Sequence, residues 1–236
     1  MNNSYKKLCA VIVISISLMS NTFAFAENNE DIYIKENKLI IENLNANLSC
    51  APHTGNLNLD YLYQMIHQNQ GAINMAKNLL NNNGEVKTRE DDKKGINELV
   101  DQIAKDTIKN ETITIANMEN VMQTLINNLI EDKVKESSYM NEYNTVLKEM
   151  ILNYEGLKST EDINKDFLQT MIVNKQATIG MANAVIKYTD NEEVKKIAEN
   201  EINTKKAEID NMKNILANKE DTNKDKTNEK NNKKGN

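Results

Sequence analysis

Apolar residues recur along this chain at spacings of three and four, the period of a helix that buries one face. Leu59, Leu62, Ile66, Asn69, Ile73, Ala76 and Leu80 make one such stripe, and Leu168, Ile172, Lys175, Ile179, Ala182 and Ile186 make another. Ile108, Glu111, Ile115, Met118 and Met122 form a third, and Ile202, Lys205, Ile209, Met212 and Leu216 a fourth. Together they predict helices over about 58–81, 95–130, 163–188 and 191–217. Between the pairs, Met140, Tyr143, Leu147, Met150 and Tyr154 step by the same alternation and predict a middle helix with one continuous buried face. Residues 27–56 read as an irregular polar segment, broken only by Leu39-Ile40-Ile41. Gly156 to Asp162 reads as a loop in which Ser159, Thr160 or Asp162 caps the following helix. From Lys219 onward no apolar residue remains, so 219–236 is expected to be a disordered tail.

The stripes also repeat. Leu59 to Ala76 and Lys165 to Ala182 keep an acid (Asp60, Asp166), a Met-Ile pair, a Gln (Gln70, Gln176) and a Met-Ala pair in one register. Downstream, Ile103-Ala104, Ile108, Ile115 and Met118 answer Ile197-Ala198, Ile202, Ile209 and Met212. Repetition of this kind fixes an architecture before any single residue is interpreted. The expected fold is all-α: a four-helix bundle built from two duplicated helical hairpins, 57–130 and 159–218, joined by an extra middle helix in 131–158. The first hairpin carries extra polar residues around Asn83 to Lys94, expected to be loop.

The first 26 residues read as a signal peptide. Lys6 and Lys7 precede an apolar run from Leu8 to Leu18, and Ala24-Phe25-Ala26 offers a small-x-small cleavage pattern. The run is short for an anchor, and no later segment reaches the roughly 20 apolar residues of a membrane-spanning helix. Export to an extracellular, periplasmic or cell-envelope location follows as an expectation, without membrane insertion after cleavage. Cys9 leaves with the signal, so Cys50 stands alone and no intramolecular disulfide can form. The net charge of −6 becomes −8 once Lys6 and Lys7 are removed, which argues against nucleic acid or an anionic membrane as partner. Neither a catalytic Ser/His/Asp or Cys/His set, nor a phosphate loop, nor a Glu-x-x-His motif is present, so no enzyme is expected.

Each stripe holds one polar residue near its middle: Asn69, Glu111, Lys175 and Lys205. Beside Asn69 runs a flanking row of Met65, Gln68, Ala72, Met75 and Leu79. The run of an acid, Met-Ile, polar residues, Gln and Met-Ala, with a later Glu208-Ile209-x-x-Met212, resembles the exported ferritin-like family catalogued as domain of unknown function 305 (DUF305), in two copies from about Leu57 to Leu216. Tyr139-Met140 and the methionines after it resemble the segment that usually precedes such a repeat. The family's core runs Met-Ile-x-His-His-Gln-Gly-Ala-x-x-Met-Ala, and its better understood members are linked to copper through those histidines and methionines. The resemblance implies a ferritin-like four-helix bundle, an extracytoplasmic location and metal handling, with no established catalysis.

This chain departs from that pattern where the histidines should stand. Gln68-Asn69 and Asn174-Lys175 occupy the paired positions. Amides are poor ligands for a soft ion, and a protonated lysine offers no lone pair. His67 is adjacent, but one step along a helix turns about 100° off the seam. Met65, Met75, Met118, Met171, Met181 and Met212 do match the family pattern, as does Glu208. Two functional classes therefore stay open. One is a binder of a soft metal such as Cu(I), through those six methionines and His67, with Cys50 and His53 as an incomplete extra pair. The other is a metal-free module that scaffolds or binds another protein or its own copy, with a polar centre of Asn69, Glu111, Lys175, Lys205 and Glu208. There Glu111, with Glu208 if it faces inward, is expected to pair with Lys175 or Lys205 across the bundle. Methionines at helical spacing are most often flexible core filler, and the loss of the histidine pairs in both repeats favours the second class, whereas membership of the resembled family pulls toward the first, metal-binding reading.

Overall fold

A computed structural model describes residues 28–83, 91–128, 130–160 and 162–232, and every regular element among them is an α-helix. Six are present: α1 (Asn29–Ser49), α2 (Leu57–Asn82), α3 (Asp91–Asn127), α4 (Lys133–Gly156), α5 (Ile163–Ile186) and α6 (Glu192–Asn232). Helices α2 and α3 pack as one hairpin, α5 and α6 as another, and α2 lies against α5. On the outside, α1 packs on α2 and α4 packs on α5. The segment read as a signal peptide, 1–26, lies outside the described residues, as does most of the expected loop after Asn83.

The core lies on the four stripes and the residues flanking them, with Ile108, Ile115, Ile172, Ile186 and Ile202 of the stripes only partly buried against it. Leu59, Leu62, Met65, Ala72, Met75, Ala76 and Leu79 of α2 are buried together with Phe167, Leu168, Met171, Met181, Ala182 and Val185 of α5. Val100, Ala104 and Met118 of α3 and Val194, Ala198 and Met212 of α6 close the other side. Each large side chain so buried contributes roughly 1.5–3 kcal/mol of transfer free energy. That offsets the modest intrinsic helix preference of so many Asn residues. On α4 the whole expected stripe, Met140 to Tyr154, is buried.

Polar side chains define the helix starts. Asn56 accepts from the backbone N–H groups of Asn58 and Leu59 at 2.9 and 3.2 Å, and its own amide donates to the Ile130 carbonyl at 2.7 Å. Asp162 caps α5 by accepting from Asn164 and Lys165, both at 3.1 Å. In the turn before α2, the Thr54 N–H and hydroxyl donate to Asp60 Oδ1. Before α5, those of Thr160 donate in the same way to Asp166 Oδ1. The shift that carries Thr54 and Asp60 onto Thr160 and Asp166 also carries cap Asn56 onto cap Asp162.

Two expectations are corrected. The segment 27–56 is not irregular: most of it is α1, with Tyr33, Leu44 and Leu48 buried. Its apolar stripe is interrupted by Asn37 and Asn45, so its periodicity is faint, and packing on α2 supplies what amphipathic pattern does not. The tail is not wholly non-helical either. α6 continues to Asn232, through a stretch free of Gly and Pro and rich in Lys and Asn, which a helical ladder tolerates.

Candidate functional site

The middle polar residues of three of the four stripes meet inside the bundle. The Lys205 ammonium lies 2.7 and 2.9 Å from the two oxygens of Glu111, and 3.4 Å from Glu201. The Lys175 ammonium lies 3.3 Å from Glu111 and 2.5 Å from Glu208 Oε2, and Lys205 is 3.8 Å from that same oxygen. The side chains of Lys175 and Glu111 are each 1 % exposed, whereas Glu208 is 25 % exposed and marks the wet edge of the network. Two cations thus face three carboxylates, drawn from α3, α5 and α6.

Burial sets the electrostatics. It pulls the Lys205 ammonium down, but Glu201, Glu111 and Glu208 together outweigh it and hold that group well above its usual range. Burial likewise pushes the Glu201 carboxyl up, against the opposing pull of Lys205. The Tyr61 hydroxyl is raised by complete burial and by Glu201, and has no hydrogen-bond partner. Lys205 is therefore held as a cation, an N–H donor with no lone pair to give a metal or to take up a proton. Glu201 is the network member that neither the stripes nor the family pattern marks. Its signal is the spacing of four residues to Lys205, one helical turn along the same face.

Asn69 is buried on α2 with its Nδ2 unpartnered, and no ion pair reaches it. Its neighbour Gln68 instead donates to the Asn174 carbonyl at 2.8 Å, while Asn174 Nδ2 donates back to the Gln68 carbonyl at 3.4 Å. Gln68 and Asn174 thus tie α2 to α5. Met65, Met75, Met118, Met171, Met181 and Met212 are all fully buried in the common apolar core. His67 is half-buried with its ring 4.5 Å from that of Tyr63, and burial holds its imidazole below the usual range. Cys50 is exposed at the end of α1, and His53 faces Glu136 at 3.9 Å. Among the described residues no three His, Cys, Asp or Glu side chains are grouped to hold a metal ion.

A second polar locus sits at one end of the bundle. Asp60 is fully buried, its Oδ1 taken by Thr54 and its Oδ2 without a partner. Desolvation, opposed by Thr54 and reinforced by Glu136, pushes its carboxyl up to about 7. Glu136 in turn accepts from the Gly55 N–H at 3.0 Å, so the pair joins the turn before α2 to the start of α4.

No helix among the described residues is long and apolar enough to cross a membrane. No curated protein and no solved structure matches the chain. A family described as "Domain of unknown function (DUF305)" matches residues 88–216, which takes in the ion-pair network and α4 but begins after α2. The chain belongs to the DUF305 family.

Proposed function

We propose that this chain is an exported, ferritin-like four-helix bundle that acts as a metal-free structural or protein-interaction module. It would have arisen by duplication of a unit of three helices, α1–α3 and α4–α6. The matching Thr54–Asp60 and Thr160–Asp166 turns and the matching caps support the duplication. The leader pattern at Lys6 to Ala26 supports export.

One observation carries the functional reading: two ammonium groups, Lys175 and Lys205, lie inside the bundle with their charges met by Glu111, Glu201 and Glu208. These residues do not suit copper. An ammonium at the second histidine position offers no lone pair and repels a cation, and the amides at Gln68, Asn69 and Asn174 are weak donors to a soft ion. The matching methionines fill the core, the ordinary use of that side chain.

An anaerobic Cu(I) titration of residues 27–236 against a competing chelator, with metal counted by native mass spectrometry, tests this. Copper is expected to stay with the chelator. Stoichiometric loading that survives the competitor would overturn the metal-free reading and return the six methionines to the status of ligands.

A further inference from the structure

A cleft of about 470 Å³ opens between α1, the end of α4 and the start of α5. Tyr33, Asn37, Asn45 and Thr170 line it beside an apolar wall that includes Ile41 and Leu157. Three buried polar atoms of these residues lack any hydrogen-bond partner: the Tyr33 hydroxyl, Asn37 Oδ1 and Asn45 Oδ1. Tyr33 itself is 1 % exposed. An unmet buried hydroxyl costs about 1–3 kcal/mol, so such a group in a cleft wall calls for an explanation.

The other half of the molecule supplies one. The shift that carries Asp60 onto Asp166 carries Tyr33 onto Tyr139, Gln64 onto Thr170 and Asn37 onto Tyr143. Around α4, the Tyr139 hydroxyl donates to Gln64 Oε1, and Gln64 Nε2 approaches Met140 Sδ at 3.4 Å. The Tyr143 ring is buried there too, its hydroxyl donating to the Leu48 carbonyl at 2.8 Å. Around α1, the amide of Gln64 is replaced by the short Thr170, whose hydroxyl is turned back to the Asp166 carbonyl at 2.8 Å. The ring of Tyr143 is replaced by Asn37, which makes only a 3.4 Å bond to Thr170. Relative to the α4 side, the α1 side therefore lacks a carboxamide facing its tyrosine and an aromatic ring beside it, with Asn37 standing in the ring's place.

We propose that this cleft binds a ligand that brings both, a compact aromatic carboxamide, free or at a peptide end. Its carbonyl accepts from the Tyr33 hydroxyl, its N–H donates to Asn37 Oδ1 or Asn45 Oδ1, and its ring lies on Ile41 and Leu157. The hydroxyl and both amide oxygens are closed from solvent, so binding includes a side-chain shift that uncovers them, and the long Asn37–Thr170 bond is one that can be given up cheaply. Burial, with Asp166 nearby, raises the Tyr33 hydroxyl far above its ordinary range, so it stays a donor. The site is independent of whether the bundle centre holds metal.

Benzamide titrated into the full mature chain, followed by the NMR signals of the Asn37 side-chain amide and the Tyr33 ring, is the test. Saturable shifts are expected, weaker with benzyl alcohol or acetamide, each of which carries only one of the two groups. Tighter binding of N-acetyl-phenylalaninamide than of benzamide would assign the natural source to a peptide, and the reverse order to a small molecule. Tyr33→Phe keeps the ring and is expected to weaken binding up to about tenfold, the loss of one hydrogen bond. Thr170→Gln rebuilds the missing amide and is expected to raise Tm and abolish binding. Absence of saturable shifts with both amides, or unchanged affinity in Tyr33→Phe, would overturn the proposal and leave the cleft as a water pocket.

Discussion

At the scale of single residues, the network around Lys205 separates the worth of a charge from the cost of orphaning its partner. Glu111→Gln removes the carboxylate shared by both lysines and should destabilise by about 3–5 kcal/mol, because the ammonium groups stay buried. Replacing Glu111, Lys175, Glu201, Lys205 and Glu208 together by volume-matched apolar residues should be neutral or stabilising, since desolvation then disappears for all five. Chemical denaturation of the two variants decides; a harmless Glu111→Gln would mean that the pairs hold nothing in place. Asp60 gives a pH signature. Its carboxyl is raised in the fold, so the folded state holds the proton more tightly than the unfolded chain does. The stabilisation from this group is complete below the ordinary carboxylate range and is lost as pH climbs through about 7. Glu201 is raised as well and contributes with the same sign. Asp60→Asn keeps an Oδ1 acceptor for Thr54 and should be more stable than the parent at neutral pH but not at pH near 4. Thermal melts of both proteins across that range would show parallel curves if Asp60 were not the group involved.

At the scale of elements, α1 is the part least legible beforehand and its docking is tightly specified. A Cβ built on Gly71 of α2 would come within 2.8 Å of a Leu44 methyl of α1. Gly71→Ala should therefore destabilise despite the gain of up to about 1 kcal/mol in helix propensity, because Leu44 is itself buried and has little room to move. Pairing it with Leu44→Ala should recover part of that loss. A double-mutant cycle read by urea denaturation measures the coupling, and strict additivity would show that the two helices do not meet there. At the other end, Asn56→Ala removes both the cap of α2 and the bond to the Ile130 carbonyl, and should cost about 1–2 kcal/mol.

At the scale of the whole molecule, the two hairpins share one core and are tied where α2 crosses α5. The reciprocal amide bonds of Gln68 and Asn174, with Asn83 to Asn164 and Thr189 to Asn58 nearer the ends, join them along the length of α2. Unfolding should accordingly be one cooperative event. Far-UV circular dichroism and tyrosine fluorescence should report the same midpoint; two separated transitions would mean that the hairpins fold independently.

By itself the sequence determined that the chain is helical and roughly where α2 to α5 lie, because burying one face of a helix imposes a spacing that any reader of the chain can count. It also marked Asn69, Glu111, Lys175 and Lys205 as polar residues on apolar stripes. Which of them meet was decided only by packing. Glu111 reaches both lysines while Asn69 reaches neither, since partner choice depends on the rotation and offset between helices far apart in the chain. Helix α1 escaped the same reading because its buried face is diluted by Asn37 and Asn45, and contact with α2 makes up for that dilution. The Tyr33 cleft was beyond reach for a related reason: a void is the absence of side chains, and it becomes visible only when the surrounding helices have been placed.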